Sequence, residues 1–150
     1  GIKVTAIDFS KSGINLLKKD INKNKIKNLN PILTDLRKKT FKPNSYDIIY
    51  AHLSLHYFNE EETTKIFNEV YRIMKKNWLF CVKCRSTDDA LCGVGKKIGE
   101  NMWKKGHTRH FFDKEYMKEK LKKFDIVKIR KTSSKYHSYK SSFIESIAVK

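Results

Sequence analysis

The feature that most constrains this chain is a strand–loop–helix–strand run at its centre. Tyr46–Ala51 (YDIIYA) is a short apolar run of the kind that forms a buried strand. His52–Phe58 (HLSLHYF) follows as a loop at its carboxyl end. Asn59, with Glu62 three residues later, has the spacing of a capping box. Ile66, Phe67, Val70, Ile73 and Met74 then fall on one helical stripe. Lys75, Lys76 and Asn77 suit the C-terminus of that helix, where cations complement the dipole. Trp78–Cys84 (WLFCVKC) is the next strand.

The same grammar runs through the rest. Ile2–Phe9 (IKVTAIDF) reads as a strand ending at Asp8, Ser10 as the cap of the next helix, and Ile14, Leu17 and Ile21 as its apolar face. Asn28 to Pro31 is a break, Pro31–Leu36 (PILTDL) a short strand ending in a second acid, Asp35, and Lys42–Ser45 a turn. Ser86–Gly106 is less regular, with one short helix expected through Trp103. Asp113 is an N-cap for a helix to about Lys123. Two strands close the chain, Asp125–Thr132 and Ser142–Val149, and the short polar link Ser133–Ser141 fits an antiparallel hairpin. Strands alternating with helices predict an α/β, Rossmann-like fold: a mostly parallel sheet with helices on both faces and an antiparallel C-terminal hairpin. A single domain over 1–150 is expected.

Composition narrows the setting. No apolar run reaches the length of a membrane-spanning helix, so no membrane partner is expected. Three cysteines do not build a disulfide framework, and the expected compartment is the cytoplasm. Lys and Arg total 33 against 16 acids, a net charge of +17. Five of the 33 are Arg, leaving 28 Lys, and Asn is frequent, as in Asn22–Asn30. That excess of Lys and Asn is what an AT-rich genome writes everywhere. It also suits an anionic partner such as nucleic acid, and both readings stand at this point.

Open α/β sheets bind ligands beyond the carboxyl ends of their strands. Those ends offer Asp8, Asp35 and the His52–Phe58 loop. An acid at such a position can accept hydrogen bonds from two vicinal ribose hydroxyls, and a second acid can accept from an adenine amino group. Phe9 and Leu36 are placed to flank a base.

VTAIDFS, TDL, YDIIYAHLSLHYF and IFNEVYRIMKKNWLFCV, in this order and spacing, resemble the class I S-adenosylmethionine-dependent methyltransferases, in particular the small-molecule "type 11" group and its tellurite-resistance-like relatives. The resemblance implies S-adenosylmethionine as cofactor and S-adenosylhomocysteine as product. It implies that Asp8 binds the cofactor ribose, that Phe9 stacks near the adenine, and that Asp35 and Leu36 hold the adenine amino edge. Ala51 and His52 would lie beside the methionine part. His56 matches a histidine common in the family's Leu-His pair, and His52, His56 and Tyr57 are the nearest groups for positioning an acceptor or taking its proton. The family's glycine-rich loop, with its strand and helix, would precede Gly1. The resemblance therefore implies an N-terminally incomplete domain, with a sheet in two halves and weak cofactor binding. Lys75-Lys76-Asn77-Trp78 stands where the family has Lys-Pro-Gly-Gly, and Asn can replace Gly at a left-handed position.

Other constellations are weaker. Cys81 and Cys84 have C-x-x-C spacing, but on a strand they face opposite sides, and neither they nor Cys92 with His107 and His110 makes an expected metal site. The glycines at 93, 95 and 99 do not form a dinucleotide fingerprint and read as a loop or lid. Trp103, His107, Arg109, His110, Phe111 and Phe112 form an aromatic-basic cluster able to stack a planar group or pair with an anion. The leading expectation is methyl transfer to a small-molecule acceptor. RNA or protein methylation on a basic face, and a non-catalytic methyltransferase-like remnant, are the alternatives, with another nucleotide-binding fold behind them.

Overall fold

The computed structural model describes residues 1–38, 40–136 and 139–150, the side chain of Tyr136 excepted. These residues form two compact units, Gly1–Thr40 and Phe41–Lys150.

The smaller unit is a strand–helix–strand element. β1 (Val4–Asp8) and β2 (Leu29–Leu33) pair in parallel, from Val4 opposite Leu29 to Asp8 opposite Leu33. α1 (Lys11–Lys23) connects them. Ser10 caps it by accepting from the Gly13 N–H at 3.1 Å. Ile14 is buried, Leu17 and Ile21 are half-buried, and the lysines of α1 are exposed, as the helical spacing predicts. The second strand starts two residues before the expected Pro31 and stops at Leu33, so Asp35 lies beyond it. Pro31 is accommodated because β2 pairs only with β1 among the described residues, and an edge strand tolerates a missing N–H. The Arg37 N–H then bonds Asp35 Oδ1 at 2.9 Å and turns the chain away.

The larger unit is built on a four-stranded sheet in the order β3-β4-β9-β8. β3 (Tyr46–His52) and β4 (Met74–Arg85) are parallel and joined by α2 (Glu60–Ile73). The Asn59–Glu62 capping box is present in both directions, at 2.9 and 3.2 Å. Between Met74 and Leu79 the register slips, with Asn77 in the left-handed region at φ 66°. Asn therefore does take the conformation that glycine favours, at the position where the family carries one.

On β4, Phe80, Val82 and Cys84 are buried, while Leu79, Cys81 and Lys83 on the other face are partly exposed. Cys81 and Cys84 thus face opposite sides, as strand alternation requires. The α2 stripe covers the first face. Phe67 meets Phe80 edge-on at 5.8 Å, Phe80 meets Phe124 at 5.6 Å, and Phe124 receives Tyr71 at 5.0 Å.

Further segments differ from the sequence reading. Met74, expected on the helix stripe, and Lys75–Asn77, expected at the helix C-terminus, belong to β4, which starts four residues before the expected Trp78. Residues 96–110 hold no helix. β5 (Lys96–Gly99), β6 (Met102–Lys105) and β7 (His107–His110) form a three-stranded antiparallel ribbon. Asn101 at φ 51° and Gly106 at φ 77° supply its two turns. Gly99, expected in a loop, closes β5. α3 (Lys114–Lys120) follows, capped by Asp113 through the Tyr116 N–H at 2.7 Å. The C-terminal hairpin is antiparallel as expected but longer: β8 (Asp125–Tyr136) and β9 (Tyr139–Val149) continue through most of the expected link. His137 and Ser138, in that link, lie outside the described residues.

The loop after β4 is fixed by one carboxylate. Asp89 has no side-chain exposure and accepts from Arg85 at 2.8 Å and from the N–H groups of Leu91 and Ser142 at 2.9 Å each. Removing it strands the Arg85 charge and two buried donors. Asp89→Ala is expected to cost about 3–5 kcal/mol in urea denaturation, against about 1 kcal/mol for Asn59→Ala at the α2 cap.

Candidate cofactor and acceptor site

In the smaller unit the carboxyl ends of β1 and β2 meet through the Thr34 N–H, which bonds the Asp8 carbonyl at 2.9 Å. The Asp8 side chain is exposed there. Its Oδ1 accepts from the Ser10 N–H at 2.9 Å, and among the described residues no cation pairs with the carboxylate. Oδ2 faces the first turn of α1, where a Cβ added to Gly13 would stand 3.2 Å away. Gly13 thus leaves room for that oxygen, a role that its sequence position gave no sign of. Phe9 follows, 77% exposed.

Asp35 and the half-buried Leu36 lie just past β2. Both Asp35 oxygens are engaged by Arg37, Nε at 2.9 and 3.0 Å and Nη2 at 2.6 Å. The Arg37 side chain first, and its N–H second, hold the Asp35 pKa down at about 2. An adenine amino group would share that carboxylate with Arg37 through its remaining lone pairs.

In the larger unit Ala51 is buried near the end of β3 and His52 is exposed, stacked at 5.9 Å on Tyr50. Leu53 then takes φ 55°, and its N–H bonds the Lys83 carbonyl at 2.9 Å. This turns the chain so that Leu55 and His56 point inward, and both are buried. The His56 ring nitrogens have no hydrogen-bond partner among the described residues. Its carbonyl accepts from the His110 N–H at 2.9 Å, Tyr57 packs on its ring at 4.3 Å, and His107 meets Tyr57 edge-on at 5.1 Å. The structure therefore gathers His56, Tyr57, His107 and His110 and leaves His52 apart, on the strand face with Tyr50. The link between the loop and β7 joins residues about fifty apart and had no local sequence signal.

Burial, then the positive charges of Arg85, Arg109 and His107, push the His56 pKa from 6.5 down to about 3. As placed, His56 is a neutral, enclosed imidazole. Between about pH 6.5 and 3 the unfolded chain binds a proton at this residue and the folded chain does not. Its contribution is therefore complete above pH 6.5 and falls as pH drops, by about 1.4 kcal/mol per unit. Urea denaturation from pH 7.5 to 5 should show this slope as the difference between the wild type and His56→Phe, which keeps the ring packing and cannot titrate. Parallel pH dependences would mean that the folded chain takes up this proton as readily as the unfolded one.

Residues 1–77 match the family model described as a methyltransferase domain. TehB from Haemophilus influenzae superposes with a TM-score of 0.77 at 18% identity, over 100% of this chain and 50% of TehB. An S-adenosylmethionine-dependent methyltransferase from Methanosarcina mazei gives 0.78 at 16% identity, over 99% of this chain and 82% of that one. The [4+2]-cyclase SpnF gives 0.77 at 16% identity, over 99% and 67%. The chain thus spans about half the length of TehB. No curated protein sequence matches it. At these identities the structural likeness establishes the fold, and the model match over 1–77 establishes descent. The chain belongs to the methyltransferase-domain family.

Proposed function

We propose that this protein transfers a methyl group from S-adenosylmethionine to a small-molecule acceptor. The observation that carries the reading is Asp8: an exposed carboxylate with no cation paired to it among the described residues, at the carboxyl end of a parallel strand, with Phe9 exposed beside it and Gly13 leaving one oxygen clear. That arrangement suits two vicinal ribose hydroxyls. The bound cofactor supplies a methyl group already activated by the sulfonium charge, so the protein's task is alignment and exclusion of water. In the smaller unit Asp8 anchors the ribose, Phe9 and Leu36 flank the adenine, and Asp35 accepts from its amino edge; in the larger unit Ala51 and His52 are the residues that the family resemblance assigns to the methionine part. His52 is the exposed group able to take an acceptor proton, whereas His56 supports Tyr57 from beneath. A base is needed only when the acceptor loses a proton during attack.

A nucleic-acid acceptor is the second reading, favoured by the uncompensated cations of β5–β7. The first test is calorimetric titration of the protein with S-adenosylhomocysteine. Asp8→Ala removes hydrogen bonds to a charged acceptor, and affinity should fall about 10- to 100-fold. Unchanged affinity would take Asp8 out of the site and this reading with it.

A further inference from the structure

We propose that the β5–β7 ribbon binds a single-stranded polynucleotide. Between Lys96 and His110 the chain carries five cations, Lys96, Lys97, Lys104, Lys105 and Arg109, and one acid, Glu100. Among the described residues none of the five forms a salt bridge. Elsewhere on the larger unit several cations are paired. Lys65 pairs with Glu61, Lys83 and Arg130 share Glu145, Lys118 pairs with Glu115, Lys122 with Glu119, and Lys131 with Asp88. The ribbon thus carries five cations against one acid, with no ion pair among the described residues.

The strand register gives the charges a shape. Lys97 lies opposite Trp103, and Trp103 opposite Arg109, so one face carries an indole between two cations. Lys105 and His107 form the next row of that face. Phe111 meets Trp103 edge-on at 5.7 Å and fixes the ring, and Lys97 Nζ lies 5.9 Å from its centroid. On the other face Lys96 sits directly opposite Lys104, a like-charge pair that sheet stability disfavours. Trp103 and Arg109 are half-buried and Lys97 is exposed, and an aromatic platform flanked by cations is the chemistry that holds unstacked bases and their phosphates. It does not suit an acidic peptide, which has charge without stacked rings. The ribbon is tied to the loop after β3 through the contact of His107 with Tyr57, so a bound strand would pass beside that loop. Binding requires no methyl donor, so this proposal and the assigned function fail separately.

The test is fluorescence anisotropy of the full chain with a labelled 12-nucleotide oligouridylate, in 50 and 150 mM salt without cofactor. Lys97→Ala/Lys104→Ala/Lys105→Ala should weaken binding at least tenfold and reduce the log–log salt slope by about two, the share of three phosphate contacts on a single strand. Lys18→Ala/Lys19→Ala/Lys23→Ala on α1 removes the same charge and should change affinity less than twofold. Equal losses in the two triples, or no binding at 50 mM salt, would overturn the proposal. A Trp78→Phe background leaves Trp103 as the single indole. Quenching of its emission at saturation supports stacking, and unchanged emission overturns it. An oligodeoxyuridylate should also bind. Polyglutamate of equal charge should compete at least tenfold less well, and equal competition would reduce the surface to bare charge and overturn it.

Discussion

The larger unit hangs on the buried carboxylate of Asp89. It receives three donors from three places: the end of β4, the following loop and the start of β9. A buried charge is tolerable only when it is fully hydrogen-bonded, and this one is. Around it the Ser86 N–H reaches the Ser142 carbonyl at 2.8 Å and the Phe112 N–H reaches the Arg85 carbonyl at 2.8 Å. Phe111 and Phe112 are thereby drawn into the core, both without exposure. The ribbon of β5–β7 is inserted between these anchor points. Its ends are held by the core, which frees its own surface from any duty to fold stability.

Where local chemistry decides structure, the sequence is readable. Asn59 and Glu62 settle a helix start between them, because the two bonds need only three residues of spacing. Ser10 and Asp113 act in the same way on α1 and α3. Alternation on β4 separates Cys81 from Cys84 without tertiary knowledge. The ribbon is different. Four-residue strands give too few alternations to register, and KKIG, MWKK and HTRH carry lysines or histidines where a strand pattern expects apolar residues. Its turns depend on Asn101 and Gly106, which were equally compatible with loops. The extension of β8 and β9 past Thr132 is similar: a polar, serine-rich stretch becomes strand because its backbone is already in register with its partner.

The site divides along the same line. Asp8, Asp35 and the loop from His52 stand at strand ends, a local property, with Phe9 and Leu36 beside the two acids, whereas Ala51 comes from the family resemblance alone. What those groups touch was not legible. Arg37 claims both oxygens of Asp35 through an adjacent turn. His56 is drawn beneath Tyr57 by the left-handed Leu53 and by a hydrogen bond from β7. Burial then lowers the proton affinity of an imidazole that spacing offered as a base.

A fold shared with a [4+2]-cyclase as well as with methyltransferases does not by itself name a reaction. Descent through the family model names a methyltransferase domain, over a span that includes Asp8 and Asp35. It says nothing of the acceptor, since the elements after Asn77 fall outside the matched span. That is where the ribbon lies. Within this protein the partner must therefore be read from physics that varies independently of descent, and the distribution of ion pairs is such a quantity. The ribbon, with five cations and one acid, faces lysine with lysine and holds an indole among them, an arrangement that suits an external anion.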